Sequence, residues 1–371
     1  MEKTTVYFVA DKFAPLFSDT ESEWKYGGAE MQMYYLARGF ARRENFQVVL
    51  LTTVDSEPSK VPNVTISRLK PPIKRGVPYL SRYFNKKRLE RAFEVGKGKR
   101  VLILSQSEPQ ELLDFAKKKN IAIIYRINGD SLVDNSKIKP QWWIDYIMQR
   151  ARTADAIVTQ SNYQKDELEK NHGLSSSVVF SCYEQDQSVF QEHSEKDDFI
   201  LWVGRCVWNK DPITFLNLAQ ALPDKKFVMV CPPEEAGSSE MVQKFATRLE
   251  NVDFYDGVPH KNLMDLYRKA IAVVSTSDTE GLPNTLIEAC YSYTPYISYR
   301  LTFHDIVGNN GIGLYSEGSF EKLKKDVESV FDDAIRERIA KKQIDFAKKT
   351  WNTDMSVDKY IKIIEEQHAR D

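Results

Sequence analysis

The segment from Ser275 to Ala289 contains the residues whose types and spacing point most directly to chemistry. It reads STSDTEGLPNTLIEA, in which a buried strand is predicted to end near Ser275 and Pro283 can occupy the first turn of a helix. Backbone N–H groups on the loop and at the helix start would face a ligand together with the positive end of the helix dipole. Such a tip suits a diphosphate. The residues expected to form it are Gly281, Leu282, Asn284 and Thr285.

Two glutamates accompany this loop, with seven residues between them. Glu280 lies on the loop itself, where a carboxylate can accept hydrogen bonds from sugar hydroxyls. Glu288 lies just past the first turn of the helix and can reach back to the two hydroxyls of a ribose. Taken alone, Glu288 would be interpreted as a solvated helix carboxylate. The combined pattern E-G-x-P-N-x-x-x-E favours the binding role.

A second segment, Val203–Asp211, places two cations after the strand that opens the second half of the chain. Arg205 offers a planar fork to phosphate oxygens, and Lys210, five residues later, offers a compact point charge. Together they could neutralise a departing diphosphate. Either residue alone would more simply be an exposed cation.

A pair of glycines, Gly27 and Gly28, precedes the first predicted helix, which opens near Ala29. Adjacent glycines let the backbone approach a ligand closely. A flexible loop end would explain a bare Gly-Gly pair equally well.

Short β-branched runs alternate with stretches of helical period along the chain, and this pattern predicts strands that position these segments. The alternation predicts doubly wound parallel sheets covered by helices on both faces. The expected strands are Thr5–Ala10, Gln47–Thr53, Val101–Leu104, Ile121–Tyr125 and Ala156–Thr159, then Phe199–Val203, Phe227–Val230, Val252–Tyr255, Ile271–Ser275 and Pro295–Ser298.

The hydrophilic segment Gln191–Asp198 interrupts this alternation and is interpreted as a domain boundary. We therefore expect one Rossmann-like domain over residues 1–192 and a second over residues 193–354. Residues 355–371 have a helical pattern with no strand after it, and this helix is expected to pack back on the first domain. Parallel sheets bind ligands at the carboxyl ends of their strands, so a cleft between the domains is expected.

The composition is that of an ordinary globular protein. A length of 371 residues favours two domains, and a net charge of −1 excludes a wholesale basic nucleic-acid binder and an acidic disordered chain. The four cysteines occur singly, which favours buried thiols in a reducing compartment over a zinc site. Neither a signal peptide nor an apolar run of about 18 residues is found, so a cytoplasmic protein is expected.

In this order and spacing, the motifs resemble the retaining glycosyltransferases of family four, the glycosyl transferases group 1. Gly27–Glu30 is similar to the family's N-terminal glycine loop, Val203–Lys210 to its VGRL…K motif, and Glu280–Glu288 to its E-x7-E motif. Supporting similarities lie in Ala154–Ser161, which resembles a strand ending in vSe, and in Asp186 with Phe190, which resemble an NGVD…F turn without its Asn-Gly.

The resemblance implies the GT-B fold, with two Rossmann-like domains facing a cleft. It implies transfer of a sugar, with retention at the anomeric carbon, from a UDP- or GDP-sugar to a glycan, lipid-linked or polysaccharide acceptor. Arg205 and Lys210 would bind the diphosphate, Glu280 would face the donor sugar, and Glu288 would bind the ribose. Gly28 would approach the donor from the first domain. Catalysis would rest on Glu280, Arg205 and Lys210.

Two features of the composition agree with a metal-independent, retaining reaction. The sequence has no Asp-x-Asp triplet, and an arginine and a lysine could stabilise the leaving diphosphate without a divalent ion. All five histidines follow residue 171, so the first domain lacks the histidine base on which inverting GT-B enzymes commonly rely. A retaining reaction needs no such base, because the leaving phosphate oxygen can accept the proton of the acceptor. We expect no metal and no cofactor besides the donor.

The sequence departs from the family pattern at two places. Asn128 stands in the slot where the family usually has a histidine, which leaves the sugar contact there unassigned. The family's GGxPE loop is replaced by residues 299–305, which read YRLTFHD and contain no glycine. Donor or acceptor preference is therefore expected to be unusual.

A basic stretch over residues 70–100 has eleven Lys or Arg against two Glu. It could lie on an anionic membrane surface and collect a lipid-linked acceptor, or it could be a solvated basic helix. No recognised nucleic-acid module accompanies it, and no nucleic-acid partner is expected. The apolar side chains interleaved with the cations are Tyr79, Leu80, Tyr83, Phe84, Leu89 and Phe93.

Other interpretations remain. Another GT-B activity, such as a nucleotide-sugar epimerase or a sugar-phosphate transferase, would use the same Arg205 and Glu288 with a different acceptor pocket. A catalytically silent glycan-binding relative would keep the fold without the reaction. A nicotinamide-dependent oxidoreductase would need G-x-G-x-x-G after its first strand, and the sequence has none there.

Overall fold

The computed structural model describes residues 3–18, 27–69, 78–105, 108, 110–134, 139–184, 196–234, 238–308 and 311–369. The chain divides into two compact units. The first consists of Met1–Cys182 together with Asn352–Asp371, and the second of Tyr183–Trp351.

The first unit is built on a parallel sheet. Its strands are β1 (Thr4–Val9), β2 (Phe46–Thr52), β3 (Val64–Arg68), β4 (Arg100–Leu104), β5 (Ala122–Arg126), β6 (Ala156–Thr159) and β7 (Ser177–Val178), in the order β3-β2-β1-β4-β5-β6-β7. Its helices are α1 (Gly28–Ala41), α2 (Pro78–Phe93), α3 (Gln110–Lys118), α4 (Gln141–Thr153) and α5 (Asn162–His172). Val6, Tyr7 and Phe8 on central strand β1 are fully buried, as expected for a parallel sheet covered on both faces.

The second unit repeats the arrangement. Its strands are β8 (Phe199–Val203), β9 (Lys226–Val230), β10 (Val252–Tyr255), β11 (Ala272–Ser275), β12 (Tyr296–Ser298) and β13 (Leu314–Tyr315), in the order β10-β9-β8-β11-β12-β13, again all parallel. Its helices are α6 (Pro212–Ala221), α7 (Ser238–Ala246), α8 (His260–Lys269), α9 (Asn284–Tyr291), α10 (Phe320–Ser329) and α11 (Asp333–Thr350). This unit has its own apolar core around Trp202, Phe215 and Phe227.

The last helix, α12 (Thr353–His368), belongs to the first unit, as the sequence predicts. It packs on α1, where a Cβ atom built on Gly39 would lie 2.6 Å from methyl carbons of both Thr353 and Val357. The ring of Tyr360 meets the ring of Phe40 edge-on, with centroids 6.3 Å apart. The absent side chain at Gly39 therefore allows the two helices to pack closely.

The ten predicted strands are confirmed, each with ends within one residue of the prediction. The strands that the prediction missed are β3, in which buried and half-exposed residues are mixed, and β7 and β13, which have two residues each. Such strands carry too little apolar pattern to stand out from loops.

The divisions between the two units lie after residues 182 and 351, earlier in the sequence than the boundaries predicted after residues 192 and 354. The first predicted boundary lies outside the described residues. Cys182 is bound to Gln32 of α1 by two hydrogen bonds, of 2.7 and 3.0 Å. The next residue, Tyr183, donates its backbone N–H to the carbonyl of Trp351 at 2.9 Å. Hydrogen bonding to distant residues, which hydrophilicity does not reveal, sets these positions.

Candidate functional site

Three adjacent strands of the second sheet, β8, β11 and β12, end at the same edge because they are parallel. Arg205 follows β8, and Lys210 closes a 3-10 helix, Trp208–Lys210, after the same strand. Glu280 lies on the loop after β11. The fold therefore brings the three residues that the sequence singled out to one edge.

Lys210 and Glu280 form an ion pair whose side chains are only 18% and 17% exposed. Ser277 donates its hydroxyl to Glu280 Oε1 at 3.1 Å. Burial lowers the pKa of Lys210 to about 8, and the positive charge of Arg205 acts in the same direction, whereas Glu234 opposes it. The pair thus holds a poorly solvated cation whose carboxylate partner an incoming anion could replace.

Arg205 differs from Lys210 in being exposed. Its guanidinium pairs with Glu234 at 2.5 Å, and 56% of its side chain is accessible to solvent. An exposed pair of this kind contributes little to stability, so the arginine can exchange its carboxylate partner for a phosphate at little cost.

Helix α9 begins beside Glu280, as predicted. Its N-cap is Pro283, which provides no side-chain hydrogen bond to the first turn. Asn284 and Thr285 are the first helical residues, and the hydroxyl of Thr285 lies 3.4 Å from that of Tyr296. Gly281 and Leu282 form the half-buried loop that leads into the helix. The predicted strand–loop–helix junction is thus present.

Glu288 lies inside α9 and is 6% exposed, so its alternative interpretation as a solvated helix carboxylate is wrong. Burial raises its pKa from 4.5 to about 7, and the neighbouring Tyr267 of α8 partly opposes that shift. A carboxylate buried here is unusual for a structural residue, because an apolar side chain would fill the space without the desolvation penalty.

Gly27 and Gly28, in the first unit, form the N-cap and the first residue of α1. A Cβ atom at Gly27 would lie 2.4 Å from a carboxylate oxygen of Glu30, which pairs with Lys12 at 2.8 Å. The backbone here is extended (φ −83°), so Gly27 serves a close approach rather than an unusual backbone angle.

The two departures from the family pattern have clear local structures. Asn128 donates its side-chain amide to the carbonyl of Ser105, which joins the loops after β5 and β4. Residues 299–305 form a turn in which Phe303, His304 and Asp305 have φ values of 49°, 57° and 66°. A left-handed backbone is strained in residues other than glycine. This turn has three such residues in a row where the family pattern has glycines.

The basic stretch is only partly described, since residues 70–77 lie outside the described ranges. In α2, Leu89 and Phe93 are buried in the core of the first unit. The idea that these two side chains face a membrane is therefore wrong. Lys86, Lys87 and Arg91 are exposed.

Sequence reasoning missed a network that joins the loops of this edge. Asp211 caps α6 and accepts a hydrogen bond from the guanidinium of Arg300 at 2.8 Å. Thr276 accepts from the indole of Trp202 at 3.0 Å, and its hydroxyl lies 2.9 Å and 2.7 Å from the carbonyls of Lys210 and Asp211. The Asp-Pro pair at 211–212 is a helix-start signal that could have revealed Asp211.

Two features are absent from the described residues. These residues hold no group of three or more His, Cys, Asp or Glu side chains placed to bind a metal ion. Within the same ranges, no helix combines the length and apolarity needed to cross a membrane.

Two parallel-sheet units of this strand order define the GT-B fold, and solved structures agree. Sucrose-phosphate synthase from Thermosynechococcus elongatus superimposes with a TM-score of 0.73 at 15% identity, over 100% of both chains. HepE from Anabaena, solved in complex with UDP-glucose, gives a TM-score of 0.72 at 14% identity, over 99% of this chain and 100% of that one.

Family models match almost the whole sequence. The model described as Glycosyltransferase Family 4 matches residues 26–181, and the one described as Glycosyl transferases group 1 matches residues 184–350. The chain belongs to the group 1 glycosyltransferases, and it is a glycosyltransferase by class.

Two curated relatives match part of the chain. An N-acetylgalactosaminyltransferase of Campylobacter jejuni, which acts on an undecaprenol-linked GalNAc-containing glycan, is 26% identical over 62% of this chain and 67% of its own length. The O-antigen chain mannosyltransferase RfbU of Salmonella typhimurium is 28% identical over 48% of this chain. This chain spans about half of RfbU, 53% of its length.

Proposed function

We propose that this protein is a retaining, metal-independent glycosyltransferase that moves a sugar from a nucleotide diphosphate-sugar to a growing glycan. The observation that carries the proposal is the grouping of Arg205, the buried Lys210–Glu280 pair and the start of α9 at one sheet edge. Two cations beside a helix N-terminus suit a diphosphate leaving group.

The donor binds by exchanging partners. Its diphosphate takes Lys210 from Glu280 and Arg205 from Glu234, and it gains amide donors from the start of α9. Glu280, released from the lysine, then accepts hydrogen bonds from hydroxyls of the donor sugar. Glu288 binds the ribose hydroxyls from within α9. Lys210 is already held in a partly dehydrated place, where its attraction for developing charge is strong.

The transfer step is balanced without a further reactant. The bond between the anomeric carbon and the diphosphate oxygen breaks, and its electron pair stays on the diphosphate, where Arg205 and Lys210 stabilise the charge. The acceptor hydroxyl forms the new bond on the same face of the sugar. Its proton passes to the departing phosphate oxygen, so no protein base is needed.

The relatives support the proposed donor and acceptor classes. HepE is solved with UDP-glucose, and the two curated relatives extend an undecaprenol-linked glycan and an O-antigen chain. We accordingly infer a UDP-sugar, or alternatively a GDP-sugar, as the donor and a lipid-linked or polysaccharide glycan as the acceptor. The exposed cations of α2 are the candidate contact with anionic lipid.

A thermal-shift screen with UDP, GDP, ADP and their sugars in EDTA tests the donor. We expect a UDP- or GDP-sugar at millimolar concentration to raise the melting temperature, because a ligand that binds only the native state stabilises it. The absence of a shift with every nucleotide would contradict the proposal.

Turnover of the donor found in this screen tests the proposed role of Arg205. R205A should lower kcat by about 10²- to 10³-fold at saturating donor, the loss typical of one transition-state donor. The matched control is K269A, which removes a cation of similar exposure (57%) paired with Asp197. Retained turnover in R205A would remove the role of Arg205. NMR of the product reports the anomeric configuration, and a free epimer or a sugar phosphate would indicate a different GT-B activity.

A further inference from the structure

Arg300 follows β12 and reaches both loops that carry the candidate site. Its Nη1 atom lies 2.8 Å from Asp211 Oδ2, 2.9 Å from the carbonyl of Thr276 and 3.0 Å from Asp278 Oδ1. Asp211 directly follows Lys210, and Asp278 lies two residues before Glu280. One guanidinium nitrogen therefore joins the loops after β8 and β11 to the loop after β12.

The arginine is itself held in place. Its guanidinium lies over the ring of Tyr299, 4.2 Å from the centroid, and its carbonyl lies 3.4 Å from the hydroxyl of Tyr315. Ser298 donates its hydroxyl to the carbonyl of Leu301 at 2.6 Å, which closes the turn around Arg300. The side chain therefore starts from a fixed backbone and loses little freedom when it donates two hydrogen bonds and pairs with Asp278.

The turn that follows Arg300 is also held in place. Phe303, the first of the three left-handed residues, is buried, with its ring 6.0 Å from that of Tyr296. Val307 donates its backbone N–H to the carbonyl of Thr302 at 2.9 Å. Contacts on both sides thus maintain a strained backbone directly after Arg300.

The charge of Arg300 has a second consequence. Asp211 and Asp278 place two carboxylates on the loops that would surround a diphosphate, and like charges would repel that ligand. Arg300 pairs with both. Its removal would loosen the loops and also leave two negative charges uncompensated.

We propose that Arg300 is a positioning residue, which holds the loops of Lys210 and Glu280 together and shields the donor from Asp211 and Asp278. The donor-related part of this inference rests on the proposed function. The positioning part concerns the protein without ligand and can be tested separately.

Hydrogen–deuterium exchange of the R300A variant tests the positioning. Loss of a hydrogen-bonded charge is expected to speed exchange at least about tenfold in peptides covering residues 205–214 and 276–285. Peptides of the first unit should be unchanged. The matched control is R336A, which removes an arginine that also pairs with an aspartate (Asp333) and donates to a carbonyl (Val330), on α11. Unchanged exchange at both loops, or equal acceleration throughout the second unit, would overturn the proposal.

Donor kinetics test the shielding. In R300A the KM for the nucleotide-sugar should rise about tenfold, and millimolar guanidinium ion should recover part of that loss. Adding D211N should also lower the KM of R300A, because asparagine keeps the helix cap and removes one negative charge. A KM that neither guanidinium nor D211N moves would refute the shielding role. If the wild-type protein turns over no nucleotide-sugar, the proposed function fails, and the exchange experiment alone decides the role of Arg300.

Discussion

Glu288 shows that a residue proposed to bind the donor can carry a stability penalty. The side chain is buried, and its pKa rises from 4.5 to about 7. A carboxyl group whose pKa is higher in the folded state than in the unfolded state destabilises the fold as the pH rises through that interval. The folded protein keeps the proton while the unfolded chain loses it.

The variant E288Q should therefore be more stable relative to wild type at pH 8 than at pH 5. The expected gain between the two pH values is about 2–3 kcal/mol, from 1.36 kcal/mol per pKa unit. Urea unfolding of both proteins at each pH measures it. The control E321Q removes a carboxylate that is 75% exposed and should give no such gain. A stability difference that does not depend on pH would mean that Glu288 is ionised normally in the fold.

Residues with local sequence signals could be predicted, and those without could not. Arg205, Lys210 and Glu280 follow strand ends within a few residues, so their placement at one sheet edge was predictable. Arg300 also follows a strand end, but the sequence does not show its role, because its acceptors are contributed by two other loops of the chain. Only the folded structure brings them together.

At the scale of secondary-structure elements, the close approach of helices α1 and α12 depends on Gly39. A Cβ atom there would lie 2.6 Å from methyl carbons of two β-branched side chains, which have little rotational freedom. The sequence does not reveal this role, since a glycine inside a helix usually signals only a lower helix propensity.

The substitution G39A should lower the free energy of unfolding by about 1–3 kcal/mol, the usual effect of overpacking, although alanine is the better helix former. Urea denaturation measures this effect. Adding V357A should recover part of the loss, because it removes one of the methyl groups that the new Cβ meets. An alanine variant as stable as wild type would show that the helices can separate slightly at no cost.

The positions of the strands could be predicted from apolar runs in the sequence, whereas the division of the chain into two units could not. The predicted boundary relied on a hydrophilic segment, but the structural division lies at Cys182, whose backbone binds Gln32 far away in the sequence. Hydrogen bonds between distant residues leave no local pattern.

At the scale of the whole molecule, the second unit is continuous in sequence and the first is not. A fragment of residues 183–351 should fold cooperatively, because it contains its complete sheet and core. It should also bind UDP with a Kd within about tenfold of that of the full chain, since the proposed diphosphate contacts all lie within it. Urea unfolding and calorimetric titration measure both properties.

A fragment of residues 1–182 gives the comparison. Without α12, the packing surface of α1 around Gly39 and Phe40 would be uncovered. We expect this fragment to be less stable than the same fragment supplied with a peptide of residues 352–371. Equal stability with and without the peptide would show that α12 is dispensable for the first unit.

The discontinuity of the first unit also sets an order of events during translation. Most of residues 183–351 emerge from the ribosome before α12 does, so the second unit can begin to fold while the first unit still lacks its last helix. The α1 surface that α12 covers stays apolar and accessible until α12 has emerged as well. For that interval the nascent chain presents a surface that a chaperone could recognise, although it lies in the part of the polypeptide that was synthesised first.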